Sequence, residues 1–337
     1  MPEPVLRIED LSISFTLGGQ DVDVVRGLSF DLAAGRTLAV VGESGSGKTV
    51  TGRSIMRLLP PAAHATGSIR LAGREVLTAD ERELQRLRGA DVAMVFQDSL
   101  SALSPYLSIG AQIVQAVRLH DRSVSRRAAL ARAVEMLERV GIPDPAGAAG
   151  RYPHEFSGGM RQRAVIAIAL VNRPALLIAD EPTTALDVTV QAQILALLRG
   201  LQEEYGMAMM LISHDFGVVA KAADDVLVMY AGREAEYGTL RDIFHAPAHP
   251  YTAGLRAATP RLDAGGDRVR LRAIPGAPTS LRDAGAGCAF APRCAFAAEL
   301  GERCLVERPL PTMRGADGDH RAACHLDRLP VRQEASR

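Results

Sequence analysis

The chain has 337 residues, 47% of them hydrophobic, and its 39 basic side chains are balanced by 39 acidic ones, for a formal net charge of zero. That balance shows none of the basic excess of a free-standing nucleic-acid binder, and 4% aromatics with no Trp argue against a base-stacking surface. The length allows one large domain or a domain with an appendage, and it supplies ample material for a core.

The start, MPEPVLRIEDLSISF, carries charges where a secretory leader needs an apolar stretch, so no signal peptide is expected. Residues 5–35 read as short alternating segments, and the pair Gly18–Gly19 between them suggests a hairpin turn. RTLAVVG (36–42) is a compact apolar strand. KTVTGRSIMRLL (48–59) has helical spacing and is expected to run until Pro60 and Pro61 stop it. The Arg-rich stretch at 83–89 reads as a solvated helical face. From about residue 98 to 155 the character changes. There SRRAALARAVEMLERV (125–140) places Leu130, Val134, Leu137 and Val140 on one helical face, and GIPDPAGAAG ends the helix. This segment is expected to be a helical insertion between strands.

Beyond it a helix (160–170), a strand (175–179), an amphipathic helix (188–204), a strand (207–213), a helix (216–222) and a strand (226–230) follow in turn. Such alternation implies an α/β fold, a mostly parallel sheet with helices on both faces. The longest apolar region, AVIAIALVNRPALLIAD, is broken by Asn172, Arg173 and Pro174, far short of the ~20 residues a membrane span needs. The chain is therefore expected in the cytosol. After about residue 240 the periodicity fades, and Pro, Gly, Ala and Arg dominate a loop-rich unit poor in obvious core.

Three segments carry chemistry. GESGSGKT (42–49) fits G-x-x-x-x-G-K-[ST], between a strand and a helix as that motif requires. Backbone N–H groups of Gly42, Glu43, Ser44, Gly45, Ser46 and Gly47 close around phosphate oxygens, Lys48 brings a charge, and the Thr49 hydroxyl can bind Mg²⁺. LLIADEP (176–182) is an apolar strand ending in Asp180, placed to hold Mg²⁺, and Glu181, placed to polarise a water. FSGGMRQR (156–163) sets Ser157, Gly158, Gly159 and Met160 at a helix start, a second backbone anion site that one chain with one phosphate loop does not need.

All four cysteines, Cys288, Cys294, Cys304 and Cys324, lie in the last fifty residues, separated by 5, 9 and 19 residues. A cytosolic setting disfavours disulfides. The gaps are wider than zinc pairs usually show, while four thiolates from loops also suit a [4Fe–4S] cluster. The residues alone leave a cluster, zinc, and reduced thiols or disulfides open. His320 and His325 lie nearby.

The order of these motifs, with Gln97 in MVFQD, ALD (185–187) and His214 in LISHD, resembles the nucleotide-binding subunit of an ATP-binding cassette (ABC) transporter. The likeness covers residues 5–240. YPHEFSGGMRQR, ESGSGKTVTGRSIMRLLP, HPYTAGL and the cysteine tail resemble one branch, the oligopeptide/dipeptide importers. The resemblance implies a P-loop ABC ATPase domain over 1–240, with an antiparallel β subdomain and a helical subdomain at about 98–160. A loop-rich extension over 241–337 would carry the cysteines.

It further implies that Phe15 stacks on adenine, that Thr49, Gln97 and Asp180 serve Mg²⁺, and that Glu181 is the catalytic base. His214 would hold the γ-phosphate, Ser157, Gly158 and Gly159 would close on ATP bound to an opposite subunit, and Asp187 would link the two sites. The partners implied are a second ATPase subunit, two transmembrane permease subunits and, indirectly, an extracytoplasmic solute-binding protein, with no nucleic acid. The location implied is the cytoplasmic side of the cell membrane. The resemblance favours a [4Fe–4S] cluster at the cysteines. Met160 stands where the family most often has Gln, and ALSP (102–105) departs from an Asn before Pro. The rival readings are a soluble non-transport ABC ATPase and an importer of nickel or glutathione.

Overall fold

The structure, a computed structural model, describes residues 3–98, 102–184, 186–259, 273–282, 285–314 and 318–329. The alternating N-terminal segments form a hairpin, β1 (Leu6–Leu17) with β2 (Gln20–Leu32), antiparallel across the Gly-Gly turn. Leu6, Ile8, Leu11 and Ile13 of β1 are buried against Val25, Leu28, Phe30 and Leu32 of β2. β3 (Thr37–Val41) is buried along its whole length, as a strand flanked on both faces must be.

Helix α1 (Lys48–Ile55) stops four residues before the expected end at residue 59. Arg57 takes a positive φ of 51°, and the Arg88 guanidinium donates to the Met56 carbonyl (2.9 Å) and the Arg57 carbonyl (3.3 Å). The Arg57 N–H returns to the Ser54 carbonyl and the Leu58 N–H to the Arg53 carbonyl, both at 2.9 Å, which closes the helix before Pro60 is reached. Arg88 holds the two carbonyls that follow, which corrects the reading of the Arg-rich stretch as a purely solvated face. β4 (Ala63–Leu71) and β5 (Arg74–Glu75) complete a four-stranded antiparallel sheet in the order β2-β1-β4-β5. α2 (Glu81–Leu87) and β6 (Val92–Val95) follow.

The helical insertion holds α3 (Ile109–His120), α4 (Arg126–Arg139) and α5 (Pro145–Gly150), where the sequence suggests only the middle one. The buried face of α4 is Ala129, Ala133, Met136 and Leu137, with Val140 just beyond. Leu130 is 45% exposed and Val134 only partly buried. The two alanines let α4 lie close to its neighbours, which rotates the helix away from the face its larger residues suggest.

α6 (Gly158–Leu170), β7 (Leu176–Asp180), α7 (Val188–Tyr205), β8 (Ala208–Ser213), α8 (Phe216–Ala222) and β9 (Asp225–Tyr230) then alternate as expected. β6, β7, β8, β3 and β9 are parallel neighbours in that order, and β10 (Arg233–Thr239) returns antiparallel along β9. Among the described residues no helix is long and apolar enough to cross a membrane.

The tail departs from expectation. After α9 (Leu240–His245), α10 (Pro250–Ala258) and α11 (Arg303–Val306), the short strands β11 (Thr312–Met313) and β12 (Arg321–Ala322) extend the main sheet to eight strands, with β12 on β10. Its core is borrowed. Tyr251 and Phe290 join Tyr230, Val41 and Phe216 of the cassette in one apolar cluster, with ring centroids of Tyr230 and Tyr251 4.7 Å apart. The junction is fastened by Glu236, which is fully buried on β10. It accepts from the backbone N–H of Ala248 (2.7 Å) and His249 (2.9 Å), and its Oε1 lies 2.8 Å from His320 Nε2.

Replacing Glu236 by Leu strands those three polar groups inside the protein. The expected cost is roughly 3 kcal/mol or more, since each buried group left without a partner costs about 1–3 kcal/mol. A lower melting temperature and faster proteolysis after residue 240 are the expected readouts. An unchanged melting temperature would show that this junction does not fasten the tail.

Candidate functional site

The site is built where the parallel strands end. From β3 the chain enters residues 42–47 and leaves into α1 at Lys48. Gly47 has φ 98°, and a Cβ there would lie 2.7 Å from the Val24 carbonyl oxygen. Only glycine fits, and as N-cap it offers no side chain to cover the first N–H groups of α1, which leaves them for an anion. Lys48 is buried, and its Nζ donates to the carbonyls of Gly42 (2.7 Å) and Glu43 (2.8 Å). Burial pulls its pKa down, against the opposing pull of Glu181, Asp180 and Glu43.

Asp180, the last residue of β7, is fully buried. Its Oδ1 accepts from the Thr49 hydroxyl at 3.0 Å. Its Oδ2 and the Ser46 hydroxyl are buried with no partner among the described residues. Burial pushes the Asp180 pKa up, against the Thr49 hydrogen bond and the nearby Arg53 charge. The Thr49 hydroxyl and the Asp180 carboxylate, with Asp180 Oδ2 left unpaired, are a fitting start for an Mg²⁺ site, and a bound cation would reverse the shift.

Glu181 has a positive φ of 47°, a conformation that costs a non-glycine residue about 1–3 kcal/mol and marks functional positions. Its carboxylate collects three side chains: Gln97 Nε2 at 2.9 Å, Thr184 Oγ1 at 2.8 Å and His214 Nδ1 at 2.9 Å. Burial pushes Glu181 up, but the hydrogen bonds of His214 and Thr184, with the Lys48 charge, outweigh it and hold the carboxyl below the usual range. Gln97 follows β6, Glu181 follows β7 and His214 follows β8, so three adjacent strands deliver one constellation. Thr184 has no counterpart among the residues singled out from sequence.

The second anion site stands apart. Ser157 caps α6 by accepting from Met160 N–H at 3.3 Å. Ser157 and Gly158 are exposed, and Met160 is partly buried against the helical core. Among the described residues no hydrogen bond or ion pair joins residues 157–160 to the phosphate loop. Asp187 caps α7 through Thr189 N–H (3.0 Å) and Val190 N–H (2.9 Å), and Val190 also lies beside Gly159. Ala185 falls outside the described residues. Phe15 sits on β1 between Val22 and Ala63, half-buried against the core.

The four cysteines are free and line one small cavity, together with His249, Phe290 and His325. Cys288 N–H donates to the Cys304 carbonyl at 2.8 Å. Burial pushes the Cys288 thiol up to about 11 and raises those of Cys294, Cys304 and Cys324. Among the described residues no group of three or more His, Cys, Asp or Glu side chains is arranged to hold a metal ion. The expected cluster site is thus convergent but not preformed. His320 turns away to Glu236.

The tail does reach the phosphate loop, through two residues that no motif had marked for that role. The Glu43 N–H donates to Tyr251 Oη at 2.8 Å, and Arg293 pairs with the Glu43 carboxylate through both terminal nitrogens, at 2.7 and 3.0 Å.

Comparison with known proteins matches two families. Residues 25–184 match the ABC transporter family, and residues 235–300 match the oligopeptide/dipeptide transporter C-terminal region. The dipeptide transport ATP-binding protein DppD of Bacillus subtilis is 51% identical over 87% of this chain and 87% of its own length. The oligopeptide transport ATP-binding protein OppD of Escherichia coli is 48% identical over 88% of each. Among solved structures, a dimeric ATP-binding cassette, MJ0796, bound to ADP and phosphate after hydrolysis, superposes with a TM-score of 0.63. It is 26% identical, covering 70% of this chain and 99% of that one.

Two substitutions separate holding a nucleotide from cleaving it. Glu181→Gln keeps the phosphate loop and is expected to lower turnover by about 10²–10⁴-fold with binding retained. Lys48→Ala is expected to weaken nucleotide binding itself. Steady-state hydrolysis and a binding titration on the same preparations check both, and near wild-type turnover in the Gln variant would remove Glu181 as the base.

Proposed function

The chain belongs to the ABC transporter family, an ATP-hydrolysing cassette of its oligopeptide/dipeptide branch, and from that premise we propose that it powers import of peptides through a separate permease. The observation that carries this reading is the convergence of Gln97, Thr184 and His214 on the Glu181 carboxylate, beside a P-loop and an orphaned Asp180 oxygen. In this reading the backbone of residues 42–47 and Lys48 bind the phosphates of ATP. Thr49, Asp180 and Gln97 hold Mg²⁺, which supplies charge neutralisation at the β- and γ-phosphates when bound. Glu181, kept ionised, takes the proton of the attacking water, and His214 both orients that carboxylate and faces the γ-phosphate. Phe15 supports the adenine.

Ser157, Gly158 and Gly159 serve a second cassette, whose own equivalent closes on this chain's ATP, and Asp187 positions the start of α7 beside them. The separation of the two anion sites in one chain supports this arrangement. The chain would sit on the cytoplasmic side of the membrane, with residues 1–240 as the cassette and 241–337 as its extension. It would meet two permease subunits directly and a solute-binding protein through them. The match over residues 235–300 favours this reading over a soluble, non-transport ATPase.

The tail cysteines are the donors we assign to a [4Fe–4S] cluster. Four free thiols on one cavity, in a tail with little core of its own, support the assignment. Cys288, Cys294, Cys304 and Cys324 would lose their protons and draw together around it, and its contribution would be to staple the tail.

The sandwich requirement is checked by dilution. Specific activity of the isolated chain is expected to fall as its concentration falls, and a rate independent of concentration would contradict the dimer. With a distinguishable partner cassette, Ser157→Arg is expected to damage the partner's hydrolysis more than its own. Anaerobically purified protein is expected to be brown with about four irons per chain; stoichiometric zinc without iron would overturn the cluster assignment.

A further inference from the structure

The phosphate loop contains an acid that works against its task. Glu43 is the second residue of the loop, and its charge acts on Lys48 at the phosphate-binding position. A carboxylate there repels an incoming nucleotide unless something cancels it. The canceling group comes from 250 residues away. Arg293 presents both terminal nitrogens to the two oxygens of Glu43, at 2.7 and 3.0 Å, with its own side chain only 4% exposed. This is the bidentate geometry in which arginine binds carboxylate most strongly.

Arg293 is itself held. Its Nε donates to the Pro275 carbonyl at 3.0 Å, and its guanidinium lies 5.9 Å from the ring centres of Tyr230 and Phe290. Tyr251 fixes the backbone of the same residue, accepting the Glu43 N–H at 2.8 Å. The partners of the Glu43 carboxylate and of its N–H therefore both belong to the tail, and both are buried.

We propose that Arg293 and Tyr251 are positioning residues for nucleotide binding, holding Glu43 to the tail and neutralising its charge so that the loop presents a net positive cradle. The proposal rests on the P-loop binding ATP. It makes nucleotide affinity depend on a folded tail, and it predicts that removing the charge of Glu43 rescues the loss of Arg293.

The test is a titration of the full-length chain with MgADP. Arg293→Met keeps the bulk and loses the charge, and is expected to weaken binding about tenfold, the loss of one charge-assisted pair. Glu43→Gln alone sets the reference for the pair, and Glu43→Gln with Arg293→Met should match that single variant to within about threefold, because no uncompensated carboxylate remains. A packing role for Arg293 would leave the double variant as weak as Arg293→Met. That outcome, or wild-type affinity in Arg293→Met, overturns the proposal. If Arg293→Met fails to fold, the same cycle is run on Arg293→Gln, which removes the charge and keeps an N–H donor for its neighbours. Its expected loss is about tenfold, reversed by Glu43→Gln, and no loss there overturns the proposal as well. Lys48→Ala runs alongside: if it binds MgADP normally, the P-loop reading fails, independently of the result at Arg293.

Discussion

Holding the Lys48 ammonium out of water is unfavourable on its own, and the surrounding structure is arranged around that difficulty. Two loop carbonyls accept hydrogen bonds from it, and three carboxylates act on it through space. They can do so only because β3 and β7, separated by β8 in one parallel sheet, end at the same level. The carboxylates are then driven apart in character. Asp180, buried beside Thr49, is pushed up, which suits a group that awaits a cation. Glu181, collecting three hydrogen bonds, is held down, which keeps it ready to accept a proton.

The insertion is tied to this site by packing. Ala93 and Val95 of β6 belong to the same apolar cluster as Ile109 and Ile113 of α3 and Leu137 of α4. Gln97 follows that strand by two residues and bonds Glu181. A shift of the insertion therefore has a short, packed route to the Glu181 carboxylate. On the opposite flank the tail extends the sheet through β12 and reaches Glu43 through Arg293. Arg293 lies in the turn between Cys288 and Cys294, so whatever orders those thiols also orders a partner of the phosphate loop.

Much of the site is legible in the sequence because its demands are local. A backbone cradle needs glycines at fixed steps, a strand-end carboxylate needs an apolar run before it, and both leave unmistakable spacing. The alternation of strands and helices after residue 156 is legible for the same reason. Other features are decided by residues distant in the chain. α1 ends at Ile55 in a turn where Arg57 takes a positive φ and the distant Arg88 holds the Met56 carbonyl, although Pro60 suggests a later stop. α4 turns on Ala129 and Ala133, although Leu130 looks like the buried residue. The tail lacks a core in composition yet shares the core of the cassette through Tyr251 and Phe290. Cysteine spacing marks a shared cavity without fixing a ligand geometry. The Glu43–Arg293 pair has no local signature at all.

Hydrolysis at Glu181 is proposed to be spent on moving peptide through a permease. The most direct measurement is ATP hydrolysis by the assembled transporter in lipid vesicles, read together with uptake of labelled peptide, with and without the peptide-loaded binding protein. Loaded binding protein is expected to raise hydrolysis, with uptake rising in proportion. Hydrolysis indifferent to peptide, with no uptake, in a complex that contains the permease would contradict that proposal.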